Sequence, residues 1–310
     1  MKAIVTGGSG LIGRSLVSEL LREGWEVDCL GRKGTRDDAR IRNFPADFLD
    51  SGSISKALQD TGGGSVLFHL GAVLPAHDPP PDEETLLRAN VLSSLKLFEA
   101  ALDLGIARVV NASSISVIGM PSLLPITEDH PVHPLSSYAI SKLASELHAE
   151  RLRLTEKLNV ISLRVSSCYG PGMNESSVLP LFVKRAREGR DLTWLGSGSR
   201  TQNFVHVVDV VRAFLLAAGA EAQGVFHVGA DRSISMKALA ELVARLLPGT
   251  ASAPRPAGRP DPREHERWDL DLHRARTELG YAPSISLDAG LPDYIASCDV
   301  GRGHSACVSH

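Results

Sequence analysis

Two segments far apart in the chain hold residues that could do chemistry together: Thr6-Gly7-Gly8-Ser9-Gly10-Leu11-Ile12-Gly13, and Tyr138-Ala139-Ile140-Ser141-Lys142. On a helix, Tyr138 and Lys142 stand at i and i+4 and share a face. An ammonium beside a phenol favours the phenolate, which would lower the phenol's pKa toward the working range of an acid-base catalyst. In the glycine segment, Gly7 suits a sharp turn. Gly10 lets backbone approach an anion with no Cβ in the way, and Gly13 lets a helix pack closely on a strand. Each segment alone has a plainer reading, as a structural turn or as a packed aromatic followed by a surface lysine. Their joint presence favours a dinucleotide cradle with a proton-transfer pair.

The elements that must position these residues are also visible. Lys2-Ala3-Ile4-Val5 reads as a strand, and Leu11, Ile12, Leu16, Val17, Leu20 and Leu21 follow at helical spacing. Ser136 and Ser137 suit the cap of a helix starting near Tyr138. Arg108-Val109-Val110-Asn111-Ala112 reads as a buried strand running into Ser113-Ser114-Ile115-Ser116-Val117-Ile118-Gly119. Its hydroxyls would lie at the strand's C-terminal edge, where open parallel sheets bind ligands. Apolar runs at 26–30, 66–69, 107–112 and 160–165 alternate with helical patterns, as in β-α units around a parallel sheet.

In these motifs the chain resembles an extended short-chain dehydrogenase/reductase of the NAD-dependent epimerase/dehydratase family, from Met1 to about Ile295. The resemblance extends to Asp47 in Pro45-Ala46-Asp47-Phe48-Leu49-Asp50, to His69-Leu70-Gly71-Ala72, and to Asn90 in Ala89-Asn90-Val91. It continues through Leu163-Arg164-Val165, Tyr169-Gly170-Pro171-Gly172, Phe204-Val205-His206-Val207-Val208-Asp209-Val210 and Glu278-Leu279-Gly280-Tyr281. It implies an α/β fold, a Rossmann-type doubly wound parallel sheet with a smaller C-terminal substrate-binding lobe. It also implies a catalytic set in which Ser114 bonds the reacting oxygen, Tyr138 carries the proton, and Lys142 holds the ribose and tunes Tyr138. The implied cofactor-binding residues are Gly7, Gly10, Leu11, Ile12, Gly13, Arg32, Lys33, Asp47, Phe48, Leu70, Gly71, Ala72, Asn90, Tyr138 and Lys142. Asp47 would meet the adenine, and Gly71 and Ala72 would let the cofactor pass close. Substrate contacts would come from Ser114, Ser116, Tyr138, Arg200, Gln202 and Arg263. A helix pair near 86–104 and 138–158 resembles the surface through which family members form homodimers.

The dinucleotide-binding domain is expected over 1–168, with 204–228 returning to it. The substrate lobe is expected over 169–203 and 229–296, and a disordered tail over 297–310. The segments 74–84 and 252–267, rich in proline or charge, read as mobile connections or lids. The 310 residues carry a formal net charge of -3 and a pI near 6.4, which gives no electrostatic case for nucleic acid or an anionic membrane. With no apolar leader and no spanning stretch in view, the cytoplasm is the expected location. Four scattered cysteines read as reduced thiols. His130 and His133 read as solvated loop residues, and no metal site is expected.

Cofactor choice turns on the end of the second strand, where a carboxylate would accept the ribose 2′-OH of NAD. That place falls at Gly31, followed by Arg32 and Lys33 with Arg36 nearby, so NADP(H) is favoured and NAD(H) is the alternative. Asp28 lies too early in the strand to substitute. Family members that dehydrate sugars carry an Asp-Glu pair after the catalytic hydroxyl, whereas this chain has Ile115-Ser116, so dehydration is disfavoured. The first reading is an oxidoreductase acting on a ketone or secondary alcohol of a keto-sugar or natural-product intermediate. The alternative is a nucleotide-sugar epimerase, and a third reading is a non-catalytic nucleotide sensor. Nucleotide-sugar enzymes of the family carry an arginine at the place of Gln202 to pair with the diphosphate. Its replacement here puts such a substrate in doubt, although Arg200 or Arg263 could compensate.

Overall fold

The computed structural model describes residues 1–32, 34–35, 38–74, 80–174, 176–248 and 252–304. The first half of the chain alternates strands and helices: β1 (Lys2–Thr6), α1 (Leu11–Arg22), β2 (Glu26–Gly31), β3 (Ile41–Pro45), α2 (Ser51–Asp60) and β4 (Val66–His69). Next come α3 (Glu83–Leu86), a π turn at Leu87–Leu92, α4 (Ser93–Asp103), β5 (Arg108–Ser114), a 3-10 turn at Ile115–Ile118, α5 (Ser137–Glu156) and β6 (Val160–Val165). The remainder is β7 (Ser167–Tyr169), α6 (Val178–Arg187), β8 (Leu192–Trp194), β9 (Thr201–Gln202), β10 (Phe204–His206), α7 (Val207–Gly219), β11 (Gly224–Val228), β12 (Ile234–Ser235), α8 (Met236–Leu246), β13 (Pro254–Pro256), α9 (His273–Leu279) and α10 (Leu287–His304).

Seven parallel strands form one sheet in the order β11-β6-β5-β4-β1-β2-β3. Chain order reverses between β1 and β4, and in such sheets the crevice beyond that reversal binds ligands. The central strands are apolar along their length because helices cover both faces. On one face Leu16, Val17, Leu20 and Leu21 of α1 join Phe214 and Ala217 of α7. On the other, Ile54 and Leu58 of α2 join Leu97 and Phe98 of α4 and Ala149 and Leu152 of α5. A third cluster, with Leu179, Phe182, Trp194, Leu239 and Val243, is the core of the smaller C-terminal region.

Two expectations about order change. Segment 252–267 is not a loose connection: β13 pairs with β8, and Asp261 and Glu266 are buried. Residues 297–304 are not irregular, because they continue α10 to His304, a helix anchored through buried Leu291, Tyr294 and Ile295 in its first half, and residues 305–310 lie outside the described residues. A helix docked at one end can continue without an apolar stripe of its own. Residues 75–79, within the other segment read as mobile, lie outside the described residues.

The reversal point is pinned by a buried imidazole. Ser94 Oγ donates to Asn90 O, so its remaining role is to accept from His69 Nε2, at 2.8 Å. That assigns the proton to Nε2 and leaves Nδ1 to accept from Thr6 Oγ1, also at 2.8 Å. Burial, aided by the nearby Lys142 ammonium, pushes His69 down to about 3. The folded protein keeps it neutral while the unfolded chain takes up a proton below the ordinary value of 6.5, so this contribution is present above 6.5 and lost as the pH falls toward 3. Acidifying from about pH 7 to about pH 5 is expected to cost about 2 kcal/mol through this residue. In urea titrations His69→Gln should lose that share of the pH dependence. An unchanged pH dependence in the variant would show that the imidazole charges in the folded state.

Candidate active site

At the end of β1 the chain turns through Gly7 at φ +70°, a conformation that favours glycine. A Cβ there would lie 2.7 Å from Gly71 N, and one on Gly13 would lie 2.1 Å from Gly7 O. Both positions therefore need glycine for close approach. Gly10 caps α1 with no side-chain hydrogen bond, leaving the first-turn amides of Leu11 and Ile12 without a side-chain partner and the positive helix end open to an anion. Above this turn lies a cavity of about 450 Å³, lined by Gly7, Arg32, Asp47, Phe48, Gly71 and Ala72 among the expected residues, and by Cys29, Gly31, Thr35 and Val73 besides. An uncapped glycine turn opening on such a cavity fits a dinucleotide. Lys33 lies outside the described residues. Leu70 and Ile12 pack against the apolar core.

Asp28 is unavailable to a ribose: Arg42 takes both its oxygens at 2.7 and 2.6 Å, and Lys2 stands 3.3 Å away. Asn90, expected to bind cofactor, is instead a buried brace. Its side chain accepts from Val73 N, donates to Val73 O, and donates to Ser141 Oγ at 3.1 Å, so its polar atoms are committed to protein. Phe48 stacks on His69 with ring centroids 6.2 Å apart, and its ring fills the space a Cβ on Gly71 would need.

Ser136 caps α5 by accepting from Ala139 N, which sets Tyr138 and Lys142 one turn apart. Lys142 is buried, and its Nζ donates to Ala112 O at 2.8 Å, two residues before Ser114 on β5. Helix and strand end are thereby joined. Ser114 Oγ accepts from Ser116 N at 3.2 Å and from Ser116 Oγ at 2.9 Å. Both its lone pairs are then used, and its own O–H is left to donate. The acidified phenol expected at Tyr138 is not what this geometry produces. Burial pushes Tyr138 up to about 12 and Lys142 down to about 8, and the Lys142 proton goes to a carbonyl.

A second cavity of about 250 Å³ brings together five of the expected residues: Ser114, Ser116, Arg200, Gln202 and Arg263. Tyr138 is not among the residues lining either cavity. Ile115, Val165, Ser166, Ser167, Thr201, Asn203, Trp268 and Leu270 complete the second wall. The sequence contains no motif signal for Trp268. Nor does it contain one for Ser167, which the parallel pairing of β7 and β10 sets opposite Phe204 and which accepts from Gln202 Nε2. His130 is not a solvated loop residue: it is buried, and its Nε2 accepts from Ser122 N and Leu123 N while Nδ1 faces Pro131 O at 2.7 Å.

A Rossmann-like sheet with a glycine cradle, a Tyr-Lys helix and a strand-end serine defines a dinucleotide-dependent enzyme class. Residues 3–229 match the NAD dependent epimerase/dehydratase family, and the chain belongs to it. It is 33% identical to a UDP-glucose 4-epimerase of Mycolicibacterium smegmatis, over 94% of this chain and 96% of the relative. It is 30% identical to a dTDP-glucose 4,6-dehydratase of Actinoplanes sp., over 96% and 97% respectively. MoeE5, solved in complex with UDP-glucuronic acid and NAD, superposes with a TM-score of 0.84 at 30% identity, over 97% of this chain and 100% of that one.

The cradle generates a direct test. Gly13→Ala places a Cβ against Gly7 O and should destabilise the fold by about 1–3 kcal/mol. It should also weaken dinucleotide binding by at least about tenfold, because the turn must move away from the helix end. Calorimetric unfolding and titration with NADH and NADPH read the two effects. Unchanged binding would remove this turn from the cofactor site.

Proposed function

We propose that the protein oxidises and reduces a secondary carbinol carbon of a sugar-like substrate with a nicotinamide dinucleotide, in the manner of an epimerase. The observation that carries this reading is Ser114, whose oxygen is saturated as an acceptor and whose O–H is left for a substrate oxygen at a hydroxyl-lined cavity. Relatives named as a 4-epimerase and a 4,6-dehydratase support chemistry in which the dinucleotide is restored within one turnover. Elimination is disfavoured because Ile115 and Ser116 offer no carboxylate beside Ser114. That moves the emphasis from net reduction of a ketone to epimerisation.

In this reading Tyr138 takes the proton of the substrate hydroxyl and later returns it, while Ser114 donates to the oxygen as it gains carbonyl character. Lys142 and the first turn of α1 hold the ribose and pyrophosphate. When bound, the oxidised nicotinamide supplies the hydride acceptor and a positive charge that favours ionisation of a facing phenol. Tyr138→Phe should keep dinucleotide affinity within about twofold and lower turnover by at least about a hundredfold. Full activity in the variant would end the assignment.

Arg32, exposed at the rim of the larger cavity, and the engagement of Asp28 with Arg42 support NADP(H) as the partner, although MoeE5 was solved with NAD. Exposed Ile140, Leu147 and Leu154, spaced by whole heptads on α5, together with exposed Leu87 and Leu92, support a homodimer through this face. Native mass spectrometry of the purified protein tests both points. The expected species is a dimer retaining a dinucleotide that carries the extra phosphate. A monomer would count against the interface, and retained NAD against the Arg32 reading.

A further inference from the structure

We propose that Arg14 is a further cofactor-binding residue, whose guanidinium meets the pyrophosphate of the dinucleotide from the side of β7. This rests on the dinucleotide reading above and deepens it. Arg14 N donates to Gly10 O at 3.0 Å, which places the residue one turn into α1. Helical side chains lean toward the helix N-terminus, so the cation is carried back toward the open end at Gly10. A cation beside the positive end of a helix is unfavourable by itself. Here no acidic residue of the first turn offsets it, and no side-chain cap covers the end. Arg14 Nη2 donates to Pro171 O at 2.5 Å, and a carbonyl carries no net charge. Its other N–H groups have no partner among the described residues. The place is one where an anion is wanted.

The loop after β7 is shaped around this guanidinium. Gly172 stands at φ +78°, and a Cβ on it would lie 2.8 Å from Arg14 Cζ and 3.1 Å from Nη1, so the close approach needs glycine. Tyr169 and Met173, which flank the loop, pack in the core of the smaller C-terminal region. The strand order says which part of a dinucleotide would pass here. The larger cavity is walled chiefly from the β1-β2-β3 half of the sheet, and Arg14 is not in that wall. β7 follows directly on β6, which belongs to the other half. A dinucleotide spans both halves, with its pyrophosphate at the helix end where the order reverses. Arg14 is rooted on that helix and held by a loop of the second half, so it stands at the crossing. Its free N–H groups are the donors that a doubly charged diphosphate diester accepts in pairs.

Calorimetric titration of wild type and Arg14→Gln with NADH, NADPH and ADP tests this. A diphosphate is common to all three, so each should bind the variant at least about tenfold more weakly, and by a similar factor. The urea midpoint of the unliganded protein should stay nearly unchanged, because the bond lost is exposed. A loss confined to NADPH would put Arg14 at the 2′-phosphate and overturn the inference, as would a folded variant with unchanged affinity for all three. If the variant unfolds instead, labelling of the wild type decides. Phenylglyoxal, which modifies guanidinium groups, should label Arg14 in the free protein and at least about fivefold more slowly with ADP bound, read by peptide mass spectrometry. Equal labelling would overturn the inference and leave the dinucleotide reading standing. Wild-type protein that binds none of the three nucleotides would overturn that reading itself, and the inference with it.

Discussion

A buried chain of hydrogen bonds couples the glycine turn to the helix of Tyr138 and Lys142, and the rest of the candidate site depends on it. Gly71 N donates to Thr6 Oγ1, Thr6 Oγ1 to His69 Nδ1, His69 Nε2 to Ser94 Oγ, and Ser94 Oγ to Asn90 O. The Asn90 side chain then donates to Ser141 Oγ, which donates to Tyr138 O. Every donor and acceptor along this path is consistent with one neutral tautomer of His69. Protonating the ring would turn Nδ1 from acceptor to donor and break the link to Thr6. The low pKa of His69 and the alignment of β1, β4 and α5 are therefore aspects of one network, which is worth more intact than the sum of its pairs.

A second network closes the other side. Glu146, one turn beyond Lys142 on α5, accepts from Ser113 Oγ and forms a buried ion pair with Arg164 of β6 at 2.9 Å. Together with the Lys142–Ala112 bond, this ties α5 to the last residues of β5 at two points one turn apart. Ser114 is thus presented from a strand end fixed on the helix that carries Tyr138 and Lys142. The charge of Glu146 also offsets part of the desolvation felt by the Lys142 ammonium, which burial lowers.

The glycine turn was legible because backbone constraints need particular residues. Only glycine satisfies Gly7 and Gly13, and a strand, turn and helix in that order can be read from apolar periodicity. The strand-end serines and the cap at Ser136 were legible for the same local reasons. What escaped were properties set by burial and by partners distant in sequence. Whether Lys142 acidifies Tyr138 depends on desolvation and on the Ala112 carbonyl, and i,i+4 spacing says nothing about either. Asn90 is spent on Val73 and Ser141, and His130 on the amides of 122 and 123, which no motif announces. Segment 252–267 has the composition of a loose connection, yet its charges are held by Arg200, and its edge by β8.

The two cavities differ in how they are made, and this explains why one sequence can be clear about cofactor and less clear about substrate. The cradle is backbone: glycines, a helix terminus and strand ends, all fixed by the fold itself. The wall of the second cavity is side chain, and its electrostatics come from partners such as Asp261 and Glu266, on a segment held by the β13–β8 pairing, by ion pairs and by backbone hydrogen bonds such as Thr201 N to Glu266 O at 3.1 Å. The charge of the second cavity is therefore a property of its side-chain wall. The glycine turn and the helix of Tyr138 and Lys142, by contrast, are fixed by the packing of the core.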